Sequence, residues 1–183
     1  MRDIEKVIQA ALDAGAFKAA VIPRSEIVLS ASFWDVCKSN SCGNFGKCWV
    51  CPPDAGEIGA LMEKVRSFEY GLLYQSVAKI EDSFDFEGMQ AGAAEHAQIS
   101  QRVQGSVAGM LPKNIFHLSG GGCHLCETCA KREEMPCVYP DKALLPMEAC
   151  GIDVYSTAKE TGLKYINGQN TVTYFGIILF SEE

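Results

Sequence analysis

The sequence predicts an α/β protein, with a single sheet of about four strands, flanking helices and two cysteine-rich metal-binding loops. Segments with the apolar spacing of helices alternate along the chain with β-rich segments, an order typical of helices packed on a sheet. The 48% of apolar and 21% of charged residues are ordinary for a globular protein and argue against disorder. Eight of the nine cysteines form two groups of four, which predicts the two loops.

The first helix and the first strand come at the N-terminus. Apolar residues recur with helical spacing over 3–14, where Asp3 is a suitable N-cap. The segment 16–23 has the composition of a short buried strand, which Pro23 stops. A further helix over 25–33 would lead the chain into the first cysteine-rich loop.

The middle of the chain alternates in the same way. Asp54 caps a predicted helix, and the β-rich segment 69–80 is expected to form a central strand. A stretch rich in Ala and Gln over 86–110 predicts one long helix, and Pro112 ends it.

The C-terminal third supplies the remaining elements. The predicted strand 114–121 runs directly into the second cysteine-rich loop, and 171–180 is the strongest strand of the chain. Between them, Pro146 is placed to begin one helix and Asp153 to cap another.

Length and charge limit the organisation and the partners of the protein. The 183 residues fit one domain, so we predict a single metal-binding domain over 1–183 with cysteine-rich loops at 37–53 and 120–140. The net charge of −7, without a run of like charges, argues against nucleic acid and anionic membranes as partners. The sequence shows neither a signal peptide nor an apolar stretch of membrane-spanning length, so we expect a cytoplasmic protein. Its oligomeric state stays open.

The second cysteine group has the more specific spacing. It consists of Cys123, Cys126, Cys129 and Cys137. Three thiolates two residues apart can wrap one corner of a [4Fe–4S] cluster, each binding a different iron, as in bacterial ferredoxins. Three glycines before the group, 120–122, let the backbone approach the sulfur atoms closely. The spacing favours iron–sulfur, with zinc as the alternative because zinc also binds four cysteines.

The first cysteine group is more loosely spaced. It consists of Cys37, Cys42, Cys48 and Cys51. A Cys-x4-Cys half followed by a Cys-x2-Cys half suits either an iron–sulfur cluster or zinc, and buried unligated thiols are a third interpretation. An odd number of cysteines in a reducing compartment argues against disulfides.

Three other residues have side chains that could bind a metal or take part in catalysis, and each also has a structural explanation. Cys150 is expected to be a buried structural thiol, with a substitute ligand for Cys137 as the alternative. His96, beside Glu95 on the long helix, is expected at the surface, and the alternative is a general acid or base. His124 lies between two cysteines and is either a metal ligand or a solvent-facing loop residue.

Four segments together resemble a known family. They are CGNFGKCWVCPPDAGEI, GCHLCETCAKREEMPCVYP, MEACGIDVYSTAKETGL and TYFGIILF. From about Ala16 to Phe180 the chain resembles the bacterial and archaeal predicted metal-binding protein family (domain-of-unknown-function family 2284). The resemblance implies that the metal ligands are the eight cysteines of the two groups. Members of that family have Cys-Arg-x-Pro where 137–140 read Cys-Val-Tyr-Pro, and their Met-Glu-Ala-x-Gly-Ile-Asp-Val block falls on Glu148 and Asp153, which we expect to be structural.

The cysteine pattern therefore predicts an iron–sulfur protein. We expect two [4Fe–4S] clusters, one in each group, and electron transfer to or from a redox partner protein. One alternative is a zinc-binding structural or scaffold module without a redox role. Another is a cluster-dependent enzyme, for which the sequence identifies neither a substrate nor catalytic residues, so enzymatic activity stays open. No phosphate-binding or dinucleotide-binding motif occurs in the sequence.

Overall fold

A five-stranded sheet forms the centre of the fold, in the order β1-β2-β5-β3-β4. Its strands are β1 (Lys18–Pro23), β2 (Tyr70–Lys79), β3 (Ile115–Ser119), β4 (Leu145–Pro146) and β5 (Thr171–Phe180). Neighbouring strands are antiparallel except β3 and β4, which run parallel. The computed structural model describes residues 3–182, so the predicted domain limits 1 and 183 lie outside the described residues.

Helices cover both faces of the sheet. They are α1 (Ile4–Asp13), α2 (Phe33–Lys38), α3 (Ile58–Arg66), α4 (Phe86–Val107) and α5 (Val154–Glu160). On one face, side chains of α1 and α4 share a buried cluster with Leu72 and Ile178. On the other, side chains of α3 and α5 share a cluster with Leu73 and Ile177. The alternation follows from strand geometry, since successive residues of a strand point to opposite faces.

The four predicted strands are confirmed, and β4 is an additional fifth strand. Pro146 does not begin a helix, because Leu145 and Pro146 pair with Leu118 and Ser119 of β3. The helical turn comes only afterwards, as a 3₁₀ turn over Glu148–Cys150. The sheet therefore has five strands where the sequence predicts about four.

Two helix predictions are also corrected. The helix expected over 25–33 does not form. The chain makes only a 3₁₀ turn over Arg24–Glu26, and Leu29 then makes a β-bridge to Ile152, so α2 begins at Phe33. Asp54 does not cap α3, which begins four residues later at Ile58. By contrast, Asp153 caps α5 as predicted, with its side chain accepting the backbone N–H of Ser156.

The parallel pairing of β3 and β4 positions the second cysteine-rich loop. Both strands end at the same edge of the sheet, and the backbone N–H of Met147 donates to the carbonyl of Ser119 at 2.8 Å. Residues 120–144 therefore form a long loop that leaves the sheet after β3 and returns to the same edge at β4. Between residues 3 and 182, no helix has both the length and the apolar character needed to cross a bilayer.

Candidate metal centre

The second cysteine group surrounds one small cavity. All four thiols line it, and Leu125, Val138 and Tyr139 complete the wall with apolar and aromatic surface. Each of the four cysteines is half-buried, so each sulfur is partly shielded from water. The four cysteines of the second group thus border a single cavity.

The backbone before the second group makes this loop possible. A Cβ atom at Gly120 would lie 2.9 Å from the carbonyl oxygen of Phe175 in β5, which is too close for any larger residue. Gly121 has a φ of +70°, a conformation that glycine adopts without steric cost. The loop then turns again at Glu134, which has a left-handed φ of 56° after the 3₁₀ turn Ala130–Glu133.

The first cysteine group is distributed over a helix end and a loop. Cys37 lies in the last turn of α2, and Cys42 is exposed in the loop that follows. Cys48 and Cys51 are buried and share one tight turn, in which the N–H of Cys51 donates to the carbonyl of Cys48 at 3.0 Å. The Cys-x2-Cys half is thus the better enclosed part of this group.

The two cysteine-rich loops contact each other. Trp49 Nε1 of the first loop donates to the carbonyl of Met135 in the second at 2.9 Å. Lys131 Nζ lies 4.1 Å from the centre of the Trp49 ring and 2.6 Å from Asp54 Oδ1. Cys48 and Cys51 pack in one cluster with Cys123 and Cys129. The loops therefore form one unit, a relation that the sequence grouping does not predict.

The charges of neighbouring thiols act on one another. A hydrogen bond from Cys51 and the N–H groups of Val50 and Cys123 lower the pKa of Cys48 to about 5. The same hydrogen bond, together with burial, raises the pKa of Cys51. Burial and the charges of neighbouring cysteines raise the pKa of Cys123 to about 11. A cation bound among these sulfurs would relieve the repulsion between thiolates and favour their ionised forms.

The chemistry of the donor set fits a metal centre built on thiolates. Among residues 3–182, no three side chains of His, Cys, Asp or Glu are arranged so that they could hold a single metal ion as they stand. The four thiols around one cavity nevertheless supply the ligand number and type of a [4Fe–4S] cluster or of a structural zinc site.

Glu148 lies beside this unit. Its Oε2 is fully buried and accepts no hydrogen bond from the residues that the structure describes. Burial raises the pKa of Glu148, and the nearby N–H of Gly121 acts in the opposite direction. The negative charge of Glu148, after burial and the charge of Cys42, also raises the pKa of Cys37.

His96 is buried, and its predicted surface position is wrong. Only 1% of it is exposed, because it lies on the face of α4 that packs on the sheet. Its Nδ1 is 2.8 Å from Ser76 Oγ, and its ring stacks between those of Tyr74 and Tyr174, at 5.8 Å from each. The apolar and polar residues of α4 are only weakly separated onto opposite faces, so the sequence does not indicate that His96 lies on the buried face.

Cys150 is buried, as expected, and His124 lies at the surface of the second loop, as one of its two interpretations has it. Cys150 is fully buried in the core between the sheet and α3. His124 is exposed in the second loop. The structure thus packs Cys48 and Cys51 of the first group with Cys123 and Cys129 of the second, and leaves Cys150 in the apolar interior.

Comparisons with known proteins agree with the cysteine chemistry. A family model described as "Predicted metal-binding protein (DUF2284)" matches residues 20–180. The match includes both cysteine-rich loops and the strands that position them. No curated protein and no solved structure matches the chain.

Proposed function

The chain belongs to the family of predicted metal-binding proteins DUF2284, and we propose that its metal is iron, held as two [4Fe–4S] clusters. The observation that carries this proposal is that four cysteines, three of them with Cys-x2-Cys-x2-Cys spacing, line one cavity. That tight triple spacing suits a cluster, in which each thiolate binds a different iron. Structural zinc sites more often combine two separated Cys-x2–4-Cys pairs.

The cysteines of each group would hold one cluster. In the second group all four cysteines line the shared cavity, and in the first the buried Cys48–Cys51 turn would be completed by Cys37 and the exposed Cys42. Leu125 and Tyr139 would exclude water from the second site, and Trp49 would shield the first. Lys131 and its ion-pair partner Asp54 lie beside this unit, so their opposite charges largely offset one another at a bound anionic centre.

We propose electron transfer as the function of this pair of sites. When bound, [4Fe–4S] clusters accept and release single electrons. The second cavity adjoins Val138 and Tyr139, both exposed, so a redox partner protein could approach its thiols closely. Thiolate ligation of this kind is suited to a reducing compartment, and we propose the cytoplasm.

Anaerobic reconstitution of the full chain tests the proposal. We expect about eight iron and eight acid-labile sulfide per chain, absorbance near 400 nm and an EPR signal after reduction with dithionite. Cys42→Ser and Cys126→Ser, one from each group, should each lower the iron content by about half. Stoichiometric zinc without sulfide would contradict the proposal and favour a zinc-binding scaffold, whose fold a chelator should destabilise.

A further inference from the structure

Two neighbouring residues of α4 contact the two ends of the second cysteine-rich loop. Ser100 Oγ lies 3.4 Å from Ser119 Oγ, and Ser119 is the last residue of β3 before the loop begins. Gln101 Nε2 donates to the carbonyl of Lys142 at 2.9 Å, close to where the loop rejoins the sheet at Leu145. One turn of α4 therefore spans both ends of the loop, although these pairs are 19 and 41 positions apart in the sequence.

Tyr74 is the centre of a buried polar cluster behind Ser100. Its hydroxyl donates to Ser100 Oγ at 2.8 Å and lies 2.7 Å from His117 Nε2. His117 Nδ1 lies 2.9 Å from Gln104 Oε1, which returns the chain of contacts to α4. Tyr74 and Ser100 are both fully buried. The phenol thus joins β2, β3 and α4 close to the point where β3 ends and the loop begins.

The sheet has a gap that lets Tyr74 reach this position. Gly176 is the partner of Tyr74 in β5, the strand between β2 and β3. A Cβ atom at Gly176 would lie 2.8 Å from Cε2 of Tyr74 and closer still to its hydroxyl oxygen, so the ring can cross β5 only because this residue is glycine. A buried hydrogen bond contributes little net free energy, whereas a buried partner left unpaired is costly. The cluster therefore fixes geometry more than it adds stability.

We propose that Tyr74 and Gln101 are positioning residues of the candidate metal centre, because they hold the two ends of the second cysteine-rich loop in place before a metal binds. Tyr74 acts on the first end through Ser100, and Gln101 holds the second end directly. This inference rests on the proposed function only in taking the second cysteine group as a metal site. A loop whose ends are already fixed loses less conformational freedom when its thiolates close on a metal. Loosening either end therefore weakens metal binding without removing a ligand.

Titration of the metal-free full chain with cobalt(II), followed by thiolate-to-cobalt charge-transfer absorption, tests the inference. Cys126→Ser identifies the part of the absorption that belongs to the second group. For that part we expect Tyr74→Phe to lower the cobalt affinity about tenfold and Gln101→Ala about threefold, since a buried hydrogen bond is worth more than an exposed one. The controls are Tyr174→Phe, whose hydroxyl bonds to the N-terminal end of α4 instead, and Gln98→Ala, an exposed glutamine one turn earlier. Equal affinity of each variant and its control would overturn the inference.

Hydrogen–deuterium exchange of the same metal-free proteins gives a measurement that needs no metal. Tyr74→Phe should speed exchange at residues 120–123 and Gln101→Ala at residues 142–145, while exchange in β1 stays the same. A uniform increase over the whole sheet would show that Tyr74 only stabilises the fold, and its positioning role would be refuted. If the unaltered chain binds no cobalt but these local changes occur, the proposed function fails and the contacts of α4 still hold the loop. If all the proteins bind cobalt equally and exchange at the loop ends is unchanged, the positioning role fails and the metal site stands.

Discussion

Lys131 Nζ lies 2.6 Å from Asp54 Oδ1, and this ion pair joins two segments that are 77 positions apart in the sequence. Both side chains are largely shielded from water, with 21% and 18% of their surface exposed. Lys131 also lies against the ring of Trp49, so one cation contacts two groups beside the first cysteine loop. The pair thus fastens the second loop to the first.

Removing the Lys131–Asp54 pair should loosen the two loops. We expect Asp54→Asn to lower the free energy of unfolding by about 1–2 kcal/mol, because a half-buried ammonium loses its charged hydrogen-bond partner. Urea denaturation measures this, and loss of metal to a chelator should become faster. Lys6→Ala is the matched control, since the Lys6–Asp3 pair is far more exposed. A change no larger than that of Lys6→Ala would argue against a fastening role.

Gly120 should be irreplaceable at the start of the second loop. We expect Gly120→Ala to lower the free energy of unfolding by about 1–3 kcal/mol, because its Cβ would press against the Phe175 backbone and displace the strand end. The control is Gly105→Ala in α4, where nothing lies within 4 Å of the added carbon. That change should raise stability by about 0.5–1 kcal/mol, since alanine is the better helix former. Equal effects at both sites in thermal unfolding would contradict this account.

The buried histidines should make the fold sensitive to mild acid. Burial lowers the pKa of His96 to about 4 and that of His117 to about 3, from an ordinary 6.5. Below pH 6.5 the unfolded chain therefore binds protons that the folded chain does not. This contribution to stability is complete above pH 6.5 and is lost as the pH falls towards 4, at roughly 3 kcal/mol for His96.

Urea midpoints between pH 7.5 and 4 measure this loss. His96→Gln removes one of the two titrating groups, so its stability should fall less steeply with pH over the same range. Parallel slopes for the two proteins would show that His96 does not carry the effect.

Metal binding at the second group should release protons. Burial and nearby thiolate charge raise the pKa of Cys123 to about 11, so its thiol is protonated at pH 7.5 and must lose that proton to bind a metal. Titration calorimetry with zinc as a probe, in buffers of different ionisation enthalpy, counts the protons. Cys123→Ser should release about one proton fewer than the unaltered chain. Equal proton release would mean that this thiol does not ligate the metal.

Much of the fold was predictable because its signals are local. The four predicted strands consist of β-rich segments, and α1 repeats its apolar residues with helical spacing. The errors arose where a distant partner decided the outcome. Pro146 became part of a strand because β3 lies beside it, and Leu29 stayed extended because Ile152 pairs with it. His96 was misplaced because α4 carries only a weak apolar stripe to identify its inner face.

At the candidate site, too, local features were predictable from the sequence and long-range contacts were not. The sequence by itself determined which cysteines are candidate donors, since cysteines separated by two residues can reach one point within a single turn. It therefore predicted the Cys123–Cys126–Cys129 arrangement and the Cys48–Cys51 turn. Only the tertiary structure decided that Cys48 and Cys129, from different loops, pack in one cluster. That contact depends on the parallel pairing of β3 and β4 and on the packing of α2 against the turn that follows β4, and spacing along the chain carries no information about either.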